Sequence, residues 1–162
     1  MYPDFKELLC IFNAHNVKYL VVGGYAVSFH AQPRFTKDID LLIHPSAGNA
    51  KAVFAALAKF GAPMEGLTPR FFSRRGKFFR MGREPLAVDI PPHIAGVDFD
   101  RAWKRRVEGV IDSVSGLTVH FISRADLIAA KVAAGRPQDI ADVAALRKAA
   151  ESQGPQGGTL KF

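Results

Sequence analysis

The feature that most constrains this chain is a short apolar run, Tyr19-Leu20-Val21-Val22, that ends on Gly23-Gly24 and is followed, thirteen residues beyond the glycines, by Asp38-Ile39-Asp40-Leu41. An apolar run of strand length bounded by glycine reads as a buried strand. Tyr25 to Ala31 reads as a short helix, interrupted by Pro33, which leaves Gln32 to Lys37 as a loop. Asp38 to His44 begins with polar–apolar alternation, the pattern of a second strand. Strand side chains alternate faces, so Asp38 and Asp40 emerge together while Ile39 and Leu41 enter the core.

The rest of the chain supplies elements around this frame. Phe5, Leu8, Leu9 and Phe12 recur at helical spacing, and Asp4 with Glu7 three residues on suggests a capping box, so a first helix is expected over Asp4 to His15. Cys10, the single cysteine, is expected to be buried and inert in that helix. Ser46 caps a third helix that Gly61 stops. Strand pieces are expected at Phe71-Phe72 and Lys77 to Met81, and a further strand over Leu86, Val88 and Ile90, ended by Pro91-Pro92. A short basic helix over Phe99 to Arg106 precedes strands at Val107 to Ile111 and Leu117 to Phe121. Ser123 opens a helix ending at Gly135, and Pro137 opens the last one, to about Ala150. Strands and helices mix without a regular βαβ rhythm, which predicts an α/β (α+β) fold: a mixed β-sheet flanked by helices, with a short C-terminal helical segment. The expected organisation is a core over 1–122, C-terminal helices over 123–150 packed on it, and a disordered tail over 151–162. No apolar run reaches the roughly 18–20 residues of a membrane span. The start, Met1-Tyr2-Pro3-Asp4, does not resemble a secretion signal, so no membrane and a cytoplasmic location are expected.

The spacing permits a definite chemistry. Glycines at a helix N-terminus let phosphate oxygens approach backbone N–H groups, where the helix dipole also favours them; the plain alternative is a tight turn. Two carboxylates side by side repel unless a cation lies between them, and Mg²⁺ takes one or two carboxylates plus phosphate oxygens and water. Asp89 is the third candidate: with Val88 and Ile90 buried it points to the opposite face, and if its strand neighbours Asp38 and Asp40 three carboxylates converge. The plain alternative for these acids is a role in turns or on solvated faces. The glycine pair and the Asp-x-Asp pair together suggest a metal-chelated nucleoside triphosphate. The chain has 22 Lys and Arg against 15 Asp and Glu, a net charge of +7, which favours a polyanionic partner. Arg70, Arg74, Arg75, Lys77, Arg80 and Arg83 interleave with Phe71, Phe72, Phe78 and Phe79, and Arg101, Lys104, Arg105 and Arg106 flank Trp103. Such mixtures can grip nucleic acid, although phenylalanines in strands more often face the core. The five histidines show no zinc spacing.

Val22-Gly23-Gly24, the thirteen-residue gap and Asp38-Ile39-Asp40-Leu41 resemble the signature of the DNA polymerase beta-like nucleotidyltransferase superfamily. Gly23-Gly24-Tyr25-Ala26 with Arg34-Phe35-Thr36-Lys37-Asp38-Ile39-Asp40 resembles the abortive-infection (AbiEii-type) nucleotidyltransferases, which include toxins of bacterial toxin–antitoxin pairs. The resemblance implies transfer of a nucleoside monophosphate from a triphosphate, with Asp38, Asp40 and Asp89 holding Mg²⁺ (or Mn²⁺), and Gly23 and Gly24 holding phosphates. Arg34 and Lys37 could add cationic contacts. Lys131 would touch the nucleotide phosphates, with Arg136 and Asp139 supporting the site. The implied partners are a nucleoside triphosphate, an RNA acceptor such as tRNA, and a cognate antitoxin protein. Two other readings stay open: a small-molecule enzyme of the aminoglycoside-modifying sort, which needs an acidic acceptor pocket, and a catalytically silent nucleotide- or nucleic-acid-binding partner protein.

Overall fold

The computed structural model describes residues 1–83 and 85–152. Among these residues six α-helices and six strands follow one another as α1 (Pro3–Ala14), β1 (Tyr19–Val22), α2 (Gly23–His30), β2 (Asp38–Ile43), α3 (Ala47–Phe60), β3 (Phe79–Met81), β4 (Ala87–Ile90), α4 (Phe99–Lys104), β5 (Val107–Asp112), β6 (Leu117–Phe121), α5 (Arg124–Ala134) and α6 (Pro137–Ser152). The strands form one sheet in the order β3-β4-β2-β1-β6-β5. Its pairing is mixed: β1 runs antiparallel to β2 and parallel to β6, β2 runs parallel to β4, and β3–β4 and β5–β6 are antiparallel.

The central strands are apolar because both faces of the sheet are covered. All four residues of β1 are buried, as are Ile39, Leu41, Leu42 and Ile43 of β2. On one helix face Phe5, Leu8, Leu9 and Phe12 bury α1, which packs on α3 and β6. Helix α2 packs on β1, β2 and both C-terminal helices. Each fully buried large apolar side chain contributes about 1.5–3 kcal/mol of burial energy. The helix ends follow their sequence signals. Ser46 Oγ accepts from Asn49 N at 3.2 Å, Ser123 Oγ accepts from Asp126 N at 3.1 Å, and Gly61 and Gly135 close α3 and α5 in the left-handed conformation.

Several expectations are corrected. Pro3, not Asp4, opens α1; Tyr2 is its cap without a side-chain bond, because proline already supplies helical φ and needs no N–H partner. Cys10 is exposed: it lies off the face marked by Phe5, Leu8, Leu9 and Phe12. Phe71-Phe72 is not a strand but part of a three-ten turn over Pro69–Ser73, which buries Phe72 against α3. Phe79 joins Phe72 in the core, Phe71 is partly buried, and Phe78 is 57% exposed among the arginines. Helix α6 continues to Ser152, and the expected tail beyond it lies outside the described residues.

Candidate active site

Two neighbouring strands, β2 and β4, bring the acids together. In the parallel pair β2–β4, Asp38 stands opposite Ala87 and Asp40 opposite Asp89. Val88 and Ile90 are buried, which turns Asp89 to the face that carries Asp38 and Asp40. On the other side of β2, Asp40 stands opposite Val22, the last residue before the glycines. The carboxylates and the N-terminus of α2 therefore share one cleft of about 520 Å³, lined also by Arg34, Thr36, Arg80, Lys131, Arg136 and Asp139.

The glycines have distinct physical reasons. Gly23 has φ +64°, and a Cβ there would fall on the Asp40 carboxylate. Its missing side chain thus makes room for Asp40, a role the sequence alone did not reveal. Gly24 is pressed by the loop before β2: a Cβ would lie 2.8 Å from Thr36 Oγ1 and 3.2 Å from Arg34 Nη2.

The electrostatics single out Asp40. Burial, then the charges of Asp89 and Asp38, push its carboxyl up to about 6, against the pull of Lys131 and Arg136. Asp89 is also raised, chiefly by burial, with Arg80 opposing and Asp38 adding to the shift. Among the described residues no three His, Cys, Asp or Glu side chains converge tightly enough to cage an ion by themselves. The donor set nevertheless suits Mg²⁺, an oxygen-seeking ion that completes its shell with phosphate and water: hard carboxylates stand together in a pocket where their mutual repulsion is already visible in Asp40.

The cationic candidates divide. Arg34 gives Nη2 to Asp142 Oδ2 at 3.4 Å and keeps Nε buried and without a partner. Lys131 lies in the cleft wall, but its Nζ is 2.9 Å from both Asp139 Oδ1 and Asp142 Oδ2, and its side chain is 9% exposed. Arg136 Nε donates to Asp139 Oδ2 at 2.7 Å; that guanidinium first, then Lys131, holds the Asp139 carboxyl far below the usual range despite burial. Lys37 is exposed and does not line the cleft. His30, on α2, is a packing residue whose Nε2 donates to the Ile122 carbonyl at 2.6 Å. In the second basic group, Arg105 pairs with Asp126 and Arg106 lies 4.1 Å from the Trp103 ring centroid, so both serve the fold.

Sequence reasoning missed Arg80, which it placed with the acceptor-gripping arginines. Here Arg80 donates to Asp89 at 2.9 and 3.1 Å. The signal was available: Phe79 and Met81 flank it as core residues, so Arg80 had to point the other way, toward the face Asp89 uses. Asp142 is the common partner of Lys131 and Arg34, a role that no local pattern marks.

A family model described as a nucleotidyltransferase of unknown function (DUF6036) matches residues 5–150. No curated protein matches the chain. Among solved structures, the crystal structure of ANT(2")-Ia in complex with adenylyl-2"-tobramycin is similar, with a TM-score of 0.56 and 19% identity over 93% of this chain and 87% of that one. At that identity the likeness is one of fold.

Proposed function

The chain belongs to this nucleotidyltransferase family, and from that membership we propose that it uses a divalent metal to transfer a nucleoside monophosphate from a nucleoside triphosphate to a hydroxyl of an RNA, with a tRNA end as the favoured acceptor. The observation that carries the reading is the row of Asp89, Asp40 and Val22 across β4, β2 and β1, which sets carboxylates beside the N-terminus of α2 in one cleft.

In this reading Gly23 and Gly24 present backbone N–H groups and the positive end of α2 to the β and γ phosphates. Arg34 adds its free Nε. Asp38, Asp40 and Asp89 would hold Mg²⁺ (or Mn²⁺), which would supply charge neutralisation to the triphosphate and the departing pyrophosphate. The acceptor oxygen forms a bond to the α-phosphorus, the bond from that phosphorus to the bridging oxygen breaks, and pyrophosphate leaves with the electron pair. Asp89 would either complete the metal set, with the acceptor's proton passing to solvent water, or itself take that proton, a role worth roughly 10²–10⁴-fold in rate. Exposed Arg70, Arg74, Arg75, Lys77 and Arg83 support an anionic acceptor. The likeness to abortive-infection toxins over Gly23 to Asp40 adds a cognate antitoxin as a proposed partner.

The test is incubation with Mg²⁺, each labelled nucleoside triphosphate and total RNA, beside a parallel arm with tobramycin. Label in tRNA-sized material that is lost in Asp40→Ala supports the reading. Label in tobramycin alone replaces the acceptor with a small cationic one, and nucleotide binding without transfer in either arm leaves the silent binding protein.

A further inference from the structure

Arg80 stands opposite Asp89 in the β3–β4 pair, and Asp89 stands opposite Asp40 in the β4–β2 pair, so one row across three strands reads guanidinium, carboxylate, carboxylate. Arg80 Nη1 donates to both oxygens of Asp89, at 3.1 and 2.9 Å, and Nη2 lies 3.7 Å from Asp38 Oδ2. One guanidinium therefore bridges two of the three acids assigned to the metal. Its grip is not locked by packing: the Arg80 side chain is 48% exposed on a three-residue edge strand, so it can swing away without opening the core.

Building on the nucleotidyl-transfer reading, we propose that Arg80 is a displaceable counter-cation, holding Asp38 and Asp89 until a divalent ion arriving with the triphosphate takes over their oxygens. The competition is direct. Charge-assisted bonds from Arg80 occupy the Asp89 lone pairs that an ion would use, and a positive group in contact with both acids opposes the entry of a second cation. A triphosphate brings several negative charges and so gives both the guanidinium and the ion a partner. Metal and triphosphate then strengthen each other's binding, and by linkage they do so reciprocally. The chain alone binds divalent ions weakly, which keeps the acids neutralised and the site idle without nucleotide.

The test is titration of Mn²⁺ into the full chain, followed by calorimetry and by the electron-spin signal of free Mn²⁺, with and without inorganic tripolyphosphate. Wild type, Arg80→Gln and Arg80→Lys are compared, with folding checked by circular dichroism. Arg80→Gln is expected to bind Mn²⁺ about 10-fold more tightly than wild type without tripolyphosphate, and the gap narrows to about threefold with it, since the competing cation is gone. Arg80→Lys keeps the charge but loses the fork, so it falls between the two. Adding Asp89→Asn to Arg80→Gln removes the gain. Equal or weaker Mn²⁺ binding by Arg80→Gln, or a gain that survives Asp89→Asn, overturns the proposal. If Arg80→Gln does not fold, Arg80→Lys decides, and an affinity equal to wild type overturns it. The outcomes also separate the two readings. Label transfer by wild type without any gain in the Arg80 variants removes only the counter-cation. Failure of every protein to bind Mn²⁺, with or without tripolyphosphate, removes the metal-dependent reading of the cleft as well.

Discussion

Gly23 and Asp40 compete for one space, and only a glycine lets the carboxylate have it. Gly23→Ala must place a methyl on the Asp40 carboxylate and hold alanine at φ +64°. The left-handed conformation alone costs about 1–2 kcal/mol, so the variant should melt lower and lose transfer, because the displaced group is Asp40 itself. Gly24→Ala should be milder in a thermal melt: it meets the side chains of Thr36 and Arg34 at 2.8 Å or more and has no positive φ. Asp40 carries its own signature. Its carboxyl titrates near 6 in the native chain against 3.8 for the free group, from burial first and Asp89 and Asp38 next. Between those values the native chain binds more protons than the unfolded one, so this residue's contribution is most favourable below 3.8 and is lost as pH rises through about 6. Above that window the ionised group costs the fold on the order of 3 kcal/mol. Asp40→Asn should therefore raise the melting temperature at about pH 7–8, with the gain fading toward pH 4, while transfer is abolished. A mutant that melts lower than wild type throughout would show that the carboxylate is not strained.

At the scale of elements, α5 and α6 are joined by a buried ion cluster. Lys131 from α5 meets Asp139 and Asp142 from α6, and Asp142 also receives Arg34 from the loop before β2. The Lys131, Asp139 and Asp142 side chains are 9%, 0% and 4% exposed, and removing the lysine takes one cation from both carboxylates, leaving Asp139 to Arg136 and Asp142 to Arg34 and Gln138. Lys131→Met should cost about 1.5–3 kcal/mol in denaturant unfolding, because each carboxylate keeps a second partner; a loss under about 1 kcal/mol would mean that water reaches the cluster. The elements themselves were largely legible. Tyr19 to Val22, Asp38 to Ile43 and the Val88–Ile90 alternation announced strands through apolar runs and period, and Ser46, Gly61, Ser123 and Gly135 announced helix ends through their capping chemistry. Pro69–Ser73 misled because two adjacent phenylalanines look like a strand, whereas proline at the first position and burial of Phe72 alone favour a tight turn. What could not be read was pairing between distant segments. Alternation gives the face that Arg80 takes, but that it meets Asp89 there, and that Asp142 binds Arg34, depends on strand register and helix docking, which leave no local pattern.

Across the whole molecule, the sign of the surface bears on the acceptor. The net charge is +7, and exposed Arg70, Arg74, Arg75, Lys77 and Arg83 lie on the segments around β3. The strip reaches the cleft: Arg80 is in its wall, and His93, beside the lining residue Ile94, has its proton affinity lowered by burial first and by the Arg75 charge second. Phe78, 57% exposed between Lys77 and the buried Phe79, offers a face for a base. A single-stranded RNA end lying along this strip would release counterions as the cations replace them. With three to five phosphates engaged, its affinity should fall about 20- to 100-fold between roughly 50 and 200 mM salt. Replacing Arg74, Arg75 and Lys77 together by serine should weaken RNA binding and flatten the log–log salt slope by about 2, while leaving the melting temperature close to wild type, since all three are exposed. The substituted residues lie outside the acid set, so Mn²⁺ binding in the presence of tripolyphosphate should persist. A cationic acceptor reverses the sign: this triple variant would then bind it as well as or better than wild type, and rising salt would relieve repulsion instead of breaking attraction. Fluorescence anisotropy with a labelled RNA hairpin bearing a single-stranded 3′ end, set against tobramycin competition, measures both, and a salt slope unchanged by the triple substitution would move the acceptor off this face.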